Sequence, residues 1–225
     1  MPTQSLRRQI LSAHRLLIRL YGEPKRRLRP RDALSQLIVT ILSQNTTDVN
    51  TDRAYANLRA RFPTWETLRD ATPRAVVRAI RSAGLANTKA PRIQAILRQL
   101  TRERGALSLD FLRRMPVEQA KAYLLRLKGV GPKTASIVLL FTFGKPAFPV
   151  DTHIFRVTKR LGWIPERASR EQAHTILEEM IPAELYYPLH LNLIQHGRTI
   201  CKARRPRCEV CPLTDVCDYY QQWQI

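Results

Sequence analysis

Apolar residues recur along most of this chain every three or four positions, which is the period of an amphipathic helix. The clearest case is the segment 34–42, where the apolar side chains fall on one helical face. They are Leu34, Leu37, Ile38, Ile41 and Leu42. The same period predicts helices over 5–21, 49–62, 89–102, 119–127, 134–143, 171–181 and 184–197. Because no run alternates apolar and polar residues as a strand would, we predict an all-α fold.

Two polar or irregular segments interrupt these helices. Residues 43–48 read Ser-Gln-Asn-Thr-Thr-Asp, which predicts either a capped turn or a surface that touches a ligand, and the two roles are compatible. Asp48 is expected to cap the helix that follows, and Asp32 is expected to cap the helix over 34–42. The second interruption leaves Leu85 in a turn, where a single exposed leucine ordinarily has no function.

A glycine-containing turn joins the helices predicted over 119–127 and 134–143. Residues 127–135 read Leu-Lys-Gly-Val-Gly-Pro-Lys-Thr-Ala, which is the pattern of a helix-hairpin-helix element. The N–H groups of Gly129, Val130 and Gly131 are expected to point outward together at a helix N-terminus, where they would fit one DNA phosphate. A plain helical hairpin with a glycine turn explains the same residues equally well.

Lys133 lies in the first turn of the second hairpin helix. A lysine attacks as a nucleophile only when its amine is neutral, and the positive end of a helix dipole disfavours the ammonium form. The apolar run after Lys133 is expected to add desolvation, which acts in the same direction. The alternative is a lysine that only contacts phosphate.

Asp151 stands where the N-cap of a helix beginning at 152 belongs. A helix N-terminus stabilises an ionised carboxylate, and such a carboxylate near Lys133 would balance a developing cation or take up a proton. A simple capping role explains the residue as well. His153, two positions later, is expected to be packed or hydrogen-bonded rather than free to titrate.

All four cysteines lie in the last 25 residues, at Cys201, Cys208, Cys211 and Cys217. Cysteines this close in sequence are expected to converge on one centre, and both zinc and an iron–sulfur cluster are compatible with the spacing. Four basic residues follow the first cysteine, and a loop pinned by such a centre would be a rigid contact for DNA phosphates. They are Lys202, Arg204, Arg205 and Arg207.

The overall charge agrees with a polyanionic partner. Lysine and arginine number 38 against 18 aspartate and glutamate, which gives a net charge of +20 and a pI near 10.8. No apolar run approaches the roughly 18 residues of a membrane span, so no membrane partner is expected. Residues 1–19 lack the unbroken apolar core of a signal peptide. We therefore expect a cytoplasmic protein, associated with the nucleoid if it is bacterial.

Three stretches together resemble the endonuclease III family, which consists of helix-hairpin-helix DNA glycosylases with an iron–sulfur cluster. They are the hairpin at 127–135, the segment Val-Asp-Thr-His-Ile-Phe-Arg-Val at 150–157, and the segment from His196 through Cys217 to Tyr219. Their order and separation also match, so the resemblance covers nearly the whole chain. It implies a two-lobed all-α monomer that binds double-stranded DNA between its lobes. One lobe would be a six-helix barrel over 26–145, and the other would combine 1–25 with 146–225.

The resemblance also implies roles for individual residues. Lys133 matches the catalytic lysine of the family and Asp151 its catalytic aspartate. The four cysteines match the ligands of a [4Fe–4S] cluster held within 201–217. Leu85 falls where the family inserts an apolar wedge into the duplex, and Gln44 and Asn45 fall where it fills the gap left by a flipped nucleotide. Family members usually read Ser-Ala-Gln where this chain reads Ser-Gln-Asn, and that departure puts a preference for oxidised pyrimidines in doubt.

The function implied is that of a bifunctional base-excision-repair DNA glycosylase and abasic-site (AP) lyase. A damaged base, expected to be an oxidised pyrimidine, is flipped out of the stack and released by attack of Lys133 on C1′. The strand is then cut 3′ to the abasic site by β-elimination. One alternative is a monofunctional uracil or mismatch glycosylase of the same superfamily, although such relatives generally lack the hairpin lysine. Another is a non-catalytic DNA-binding iron–sulfur module, which would not need a carboxylate at Asp151.

Overall fold

The computed structural model describes residues 4–25 and 31–223. These residues form helices and connecting turns, and none of them lies in a β-strand. The predicted all-α fold is therefore confirmed. The chain divides into two compact units. We call the described part of 29–144 the central unit, and the described parts of 1–28 and 145–225 the terminal unit.

The helices account for most of both units. The α-helices of the described residues are α1 Gln4–Tyr21, α2 Ala33–Leu42, α3 Asp48–Arg61, α4 Trp65–Asp70, α5 Pro73–Ala79, α6 Ala86–Arg104, α7 Val117–Leu125, α8 Pro132–Val138, α9 Thr152–Arg160, α10 Arg170–Met180, α11 Tyr186–Thr199 and α12 Asp218–Trp223. Short 3₁₀ helices lie at Arg81–Ala83, Asp110–Arg114, Ala183–Leu185, Cys208–Val210 and Thr214–Val216. Within the described ranges, no helix is long and apolar enough to cross a membrane.

The central unit is organised around α2. Nine of its ten residues are buried, so the helix is covered on all sides rather than on one face. Helices α3, α6 and α8 pack against it. The Asp32 carboxylate caps its start, as predicted, by accepting a hydrogen bond from the Ser35 N–H at 2.9 Å. Because the buried helix α2 ends at Leu42, the polar residues 43–48 directly follow the core of the unit.

Two local predictions need correction. The cap of α3 is Thr47, whose hydroxyl accepts from the Asn50 N–H at 3.3 Å, and Asp48 is the first helical residue. Thr47 has the extended backbone that an N-cap requires, so the helix begins one residue earlier than expected. The second hairpin helix begins at Pro132, which keeps Lys133 in its first turn as predicted, but its last turn, Leu139–Phe143, is a π-helix rather than an α-helix.

The terminal unit brings α1 against the C-terminal part of the chain. The Tyr21 hydroxyl lies 3.0 Å from the Thr199 hydroxyl and 3.2 Å from His196 Nδ1. The Gln9 amide donates to the carbonyls of Leu161 and Val216 at 3.0 and 2.8 Å. These long-range hydrogen bonds fix α1 to the segments on which the cysteines lie.

Gly197 sets the distance between α9 and α11. A Cβ atom at this position would lie 2.8 Å from the Cβ of His153 and 3.3 Å from the Arg156 guanidinium. The Arg156 Nη2 uses the space to donate to the Gly197 carbonyl at 2.8 Å and contacts His153 Nδ1 at 3.1 Å. The absence of a side chain at Gly197 therefore permits the contact between these two helices.

Replacing Gly197 with alanine is expected to destabilise the fold by about 1–3 kcal/mol, because the added methyl group has no room between α9 and α11. Thermal unfolding followed by circular dichroism measures the effect. Gly131→Ala is the matched control, since a Cβ there meets no atom within 4 Å and the backbone φ of −99° suits any residue. Equal melting temperatures for the two variants would show that the helices are not in tight contact.

Candidate functional site

A backbone hydrogen bond within the hairpin turn between α7 and α8 closes the turn. Gly129 has a φ of +83°, a backbone conformation that favours glycine. The Val130 side chain is buried, and its N–H donates to the Leu127 carbonyl at 3.0 Å. Within the described chain, nothing accepts a hydrogen bond from the N–H groups of Gly129 or Gly131. This differs from the expectation that three N–H groups face outward together, because the turn itself uses that of Val130.

Arg92 is a functional candidate that the sequence did not reveal. It lies on α6, far from the hairpin in sequence, yet its side chain packs over the turn. A Cβ atom on Gly129 would lie 2.7 Å from Arg92 Cδ and 3.2 Å from its Nε. The guanidinium therefore adds positive charge beside the two unpaired N–H groups, where a DNA phosphate would bind.

Lys133 is the second residue of α8, and its side chain is exposed. The buried residues of α8 are its neighbours Thr134, Ala135 and Ser136, followed by Val138. The apolar run after Lys133 thus faces the core and does not cover the amine, contrary to the expectation of desolvation by that run. The helix N-terminus remains as the source of positive potential at Lys133.

The turn at 43–45 lies close to the start of α8. The Gln44 amide donates to the Thr134 hydroxyl at 3.5 Å, and Thr134 directly follows Lys133. Gln44 is half-buried and Asn45 is exposed. The central unit therefore brings the polar turn and the hairpin lysine to the same region, although they are about 90 residues apart in sequence.

Three non-glycine residues of the described chain have a left-handed backbone. They are Asn45, Leu85 and Arg205, with φ values of 54°, 48° and 51°. Such a conformation costs of order 1–3 kcal/mol and persists only where the surroundings enforce it. Each residue lies in a segment predicted to contact DNA, and the Leu85 side chain is 57% exposed. Strained backbone at all three positions is typical of functional sites.

Asp151 caps α9 in the terminal unit, as predicted. It is buried, and its Oδ1 accepts from the Ile154 N–H at 2.8 Å. Two buried histidines hold the segment that precedes it. His190 Nδ1 donates to the Pro149 carbonyl at 2.9 Å, and His174 Nδ1 donates to the Phe148 carbonyl at 3.0 Å. Since a carbonyl only accepts, both histidines carry a proton on Nδ1.

The four cysteines line one pocket of the terminal unit, together with His196 and Arg160. Within the described residues, no three histidine, cysteine, aspartate or glutamate side chains are placed to share a single metal ion. Four cysteines that line one pocket, without three of them meeting at one ion, suit the ligands of a multi-iron cluster. Burial raises the pKa of the Cys208 and Cys217 thiols, and it raises the pKa of Cys211 to about 11. Thiolates at these positions therefore need a strongly cationic centre, which the irons of a cluster supply.

Donors from α9 and α11 surround this pocket. Arg160 Nη1 donates to the Cys201 sulfur at 3.3 Å and to the Lys202 carbonyl at 2.8 Å. Arg156 Nε donates to the Cys201 carbonyl at 3.0 Å, and His196 Nε2 lies 3.5 Å from the Cys211 sulfur. Hydrogen bonds of this kind orient sulfur ligands and compensate the negative charge of a thiolate-bound cluster.

The loop at 202–207 is exposed and tied to the same pocket. The N–H groups of Lys202 and Arg207 both donate to the Ile200 carbonyl, at 2.8 and 3.0 Å. All four basic side chains of the loop are exposed. The Arg207–Glu209 ion pair at 3.8 Å is long and exposed, so it neutralises little of this charge. The loop is thus a constrained basic surface suited to phosphate contacts.

A hairpin turn with free N–H groups and a pocket lined by four cysteines, on an all-helical scaffold, are typical of a helix-hairpin-helix DNA-binding protein that carries an iron–sulfur cluster. Residues 38–183 match the family described as HhH-GPD superfamily base excision DNA repair protein. Residues 201–217 match the iron–sulfur binding domain of endonuclease III. The chain belongs to the endonuclease III family within this superfamily.

Individual relatives agree with this assignment. The endonuclease III of Thermotoga maritima is 38% identical over 191 residues, which cover 85% of each chain. A protein of Arabidopsis thaliana that carries the provisional name of DNA glycosylase is 41% identical over 208 residues, covering 88% of this chain and 71% of its own. The solved structure of an endonuclease III–DNA covalent intermediate matches with a TM-score of 0.83 at 29% identity, covering 100% of both chains.

The family settles three of the predictions made from the sequence. The protein is a DNA glycosylase with AP-lyase activity, it binds DNA, and it carries a [4Fe–4S] cluster. The choice of an iron–sulfur cluster over zinc is confirmed. The roles of individual residues and the preferred lesion stay predictions.

Replacing Gly131 with alanine is expected to weaken binding to abasic DNA by about tenfold, because a methyl group would separate the turn from the phosphate. The melting temperature should change by less than about 2 °C, since the free protein has open space at this position. Fluorescence anisotropy with a labelled duplex measures the affinity. An unchanged affinity would mean that the turn does not contact the DNA backbone.

Proposed function

We propose that this protein removes oxidised pyrimidines from double-stranded DNA and cuts the strand at the resulting abasic site through a Schiff base on Lys133. The observation that carries the proposal is the position of Lys133, exposed at the N-terminus of α8 beside a turn with free N–H groups. A phosphate bound at that turn would hold the sugar-phosphate backbone close to the amine. The names of the Thermotoga maritima and Rickettsia conorii relatives, both endonuclease III, support it.

The chemistry follows from a neutral amine at Lys133. The amine attacks C1′ of the flipped nucleotide, the bond from C1′ to the base breaks, and the base leaves with a proton. The sugar ring opens to a Schiff base between C1′ and Nζ. This cation acidifies the C2′ proton, whose removal breaks the C3′–O3′ bond and so cuts the strand. Water then hydrolyses the Schiff base and frees the enzyme.

Asp151 is the proposed electrostatic partner of this reaction. Its carboxylate is buried at the N-terminus of α9, and only Oδ1 is used for the cap. An oriented carboxylate stabilises the sugar as it becomes cationic and accepts the proton of the attacking amine. The hydrogen bonds from His174 and His190 to the Phe148 and Pro149 carbonyls fix the backbone segment that leads to Asp151.

In the proposed substrate complex, one DNA duplex contacts a barrel lobe, 26–145, and also a lobe of 1–25 with 146–225 that holds the cluster. The exposed basic residues of the loop at 202–207 would contact phosphates, and Cys201, Cys208, Cys211 and Cys217 would bind the cluster that pins this loop. We propose that the protein acts as a monomer. We also propose that it is cytoplasmic, and its net charge of +20 supports a place at the nucleoid if the cell is bacterial.

A second candidate for the lesion is uracil or a mispaired base. The observation that favours it is the order Gln44-Asn45, which changes the reach of the amide that fills the gap left by a flipped nucleotide. A thermostable thymine-DNA glycosylase shares the fold, with a TM-score of 0.80 at 24% identity, and this likeness concerns the fold alone. The duplex that is cut faster separates the two candidates.

The test uses two labelled duplexes, one with a single thymine glycol and one with a single uracil. We expect the thymine glycol strand to be cut during the reaction, leaving an unsaturated aldehyde at the 3′ end. Faster cutting of the uracil strand would favour the second candidate. DNA binding without release of either base would overturn the proposed specificity.

A further inference from the structure

Lys89 is a buried lysine that the glycosylase chemistry does not use. It lies in the first turns of α6 and is 1% exposed. Its ammonium donates to three backbone carbonyls, those of Leu42 at 2.7 Å, Gln44 at 2.6 Å and Ala83 at 2.7 Å. A lysine ammonium has three N–H donors, so all of them are satisfied. Within the described residues, no carboxylate pairs with it.

The three carbonyls lie in or directly beside two turns that are far apart in sequence. We call residues 43–45, which follow the end of α2, the gap turn, and residues 83–85 the wedge turn. Leu42 and Gln44 flank Ser43 at the start of the gap turn, and Ala83 begins the wedge turn. The backbone N–H of Lys89 also donates to the Leu85 carbonyl at 2.9 Å. Lys89 is therefore bonded to both turns at once.

Satisfying carbonyl groups with a buried ammonium costs free energy, because the charge loses its hydration on burial. Burial lowers the pKa of Lys89 accordingly. The compact ammonium has one property that suits this place, since its three donors diverge and reach carbonyls of separate segments. Each turn also contains a strained non-glycine residue, Asn45 in the gap turn and Leu85 in the wedge turn. Strained residues of this kind persist only where surrounding contacts hold them.

We propose that Lys89 is a positioning residue that couples the gap turn to the wedge turn, so that Gln44, Asn45 and Leu85 enter the DNA duplex as one rigid element. The inference rests on the proposed function, in which both turns contact the duplex at the flipped nucleotide. Loss of the ammonium would let each turn move alone. The expected defect lies in the step that opens paired DNA, and the lyase chemistry at Lys133 is spared.

Gln94 provides a matched control on the same helix. It is also 1% exposed, and the two N–H donors of its Nε2 are shared among three carbonyls, those of Leu68, Arg69 and Ala71, at 3.1, 3.3 and 2.7 Å. Those carbonyls lie at the end of α4, and none belongs to the gap or wedge turn. Lys89→Met and Gln94→Met each remove a buried side-chain donor that serves three carbonyls, so they share much of the general cost to the fold, and in Gln94→Met the Arg69 carbonyl keeps a hydrogen bond from Arg98 Nη2 at 3.4 Å.

The first measurement uses a duplex with a tetrahydrofuran abasic analogue opposite 2-aminopurine, whose fluorescence rises when the base is unstacked. In stopped flow we expect Lys89→Met to slow the rise by about tenfold relative to the wild-type protein and to Gln94→Met. On a single-stranded abasic oligonucleotide, which needs no opening, cleavage by Lys89→Met should stay within about twofold of Gln94→Met. Equal rates of the fluorescence rise for the two variants, or an equal loss by Lys89→Met on both substrates, would overturn the inference.

A double-mutant cycle tests the coupling even if Lys89→Met does not fold. Gln44→Ala and Leu85→Ala should be non-additive in the 2-aminopurine assay, with an interaction of about threefold or more, because the two turns move together. In a Lys89→Gln background, whose side chain has only two donors, the effects of Gln44→Ala and Leu85→Ala should become additive, with an interaction close to onefold. Additive effects in the wild-type background would contradict the proposal. If the wild-type protein fails to cut abasic DNA, the proposed function itself is wrong, and that outcome is distinct from both tests.

Discussion

Replacing Lys133 with alanine is expected to slow strand cleavage at an abasic site by at least about 10³-fold, because alanine has no amine with which to form the Schiff base. DNA affinity should fall by less than about threefold, since one exposed ammonium contributes only one of many phosphate contacts. Single-turnover cleavage of a labelled duplex on a denaturing gel measures the rate, and anisotropy measures the affinity.

Lys128→Ala is the control for this variant. Lys128 is exposed on the same hairpin and carries the same charge. It precedes the turn, whereas Lys133 is the second residue of α8. Its loss should reduce affinity as much as the loss of Lys133 and leave the cleavage rate of bound DNA unchanged. Comparable cleavage by the two variants would make Lys133 a phosphate contact and would remove it from the chemistry.

Replacing Cys208 with alanine is expected to yield colourless protein with a melting temperature lower by roughly 10 °C or more, because the binding energy of a structural metal centre is part of the folding energy. The four cysteines line one pocket, and the loop between the first two is bonded to its rim. Visible absorption together with iron analysis measures cluster content, and calorimetry measures stability.

Glu209→Ala is the matched control for the cysteine variant. Glu209 is the next residue, exposed, and offers no sulfur. This variant should keep full absorption and an unchanged melting temperature. A Cys208→Ala protein with the full visible absorption would show that Cys208 is not a cluster ligand.

Local sequence signals located the elements of the site. The period of Leu34, Leu37 and Ile41 gives the buried helix α2, and the glycines and proline at 129–132 give the hairpin turn. The cysteine spacing, read with the family resemblance, gives the cluster segment. Each of these signals lies within 17 residues of sequence or fewer, which is the range over which backbone propensity and side-chain periodicity act.

Contacts between distant segments carry the features that the sequence did not reveal. Arg92 meets Gly129 across the central unit, and Lys89 meets Leu42 and Ala83 through packing of α6. Nothing in a run of basic helix residues distinguishes a buried lysine from a solvated one. The shift of the α3 cap from Asp48 to Thr47 has a different origin, because two adjacent residues are both good caps and only backbone geometry chooses between them.

The most direct measurement of the central claim is borohydride trapping on a duplex with one abasic site, followed by peptide mapping of the adduct by mass spectrometry. Reduction fixes the Schiff base as a covalent bond between the sugar C1′ and the attacking amine. We expect a borohydride-dependent protein–DNA band whose sugar remnant lies on Lys133. An adduct on another amine, or no adduct from protein that binds DNA and retains its cluster, would contradict the assignment of Lys133 as the nucleophile.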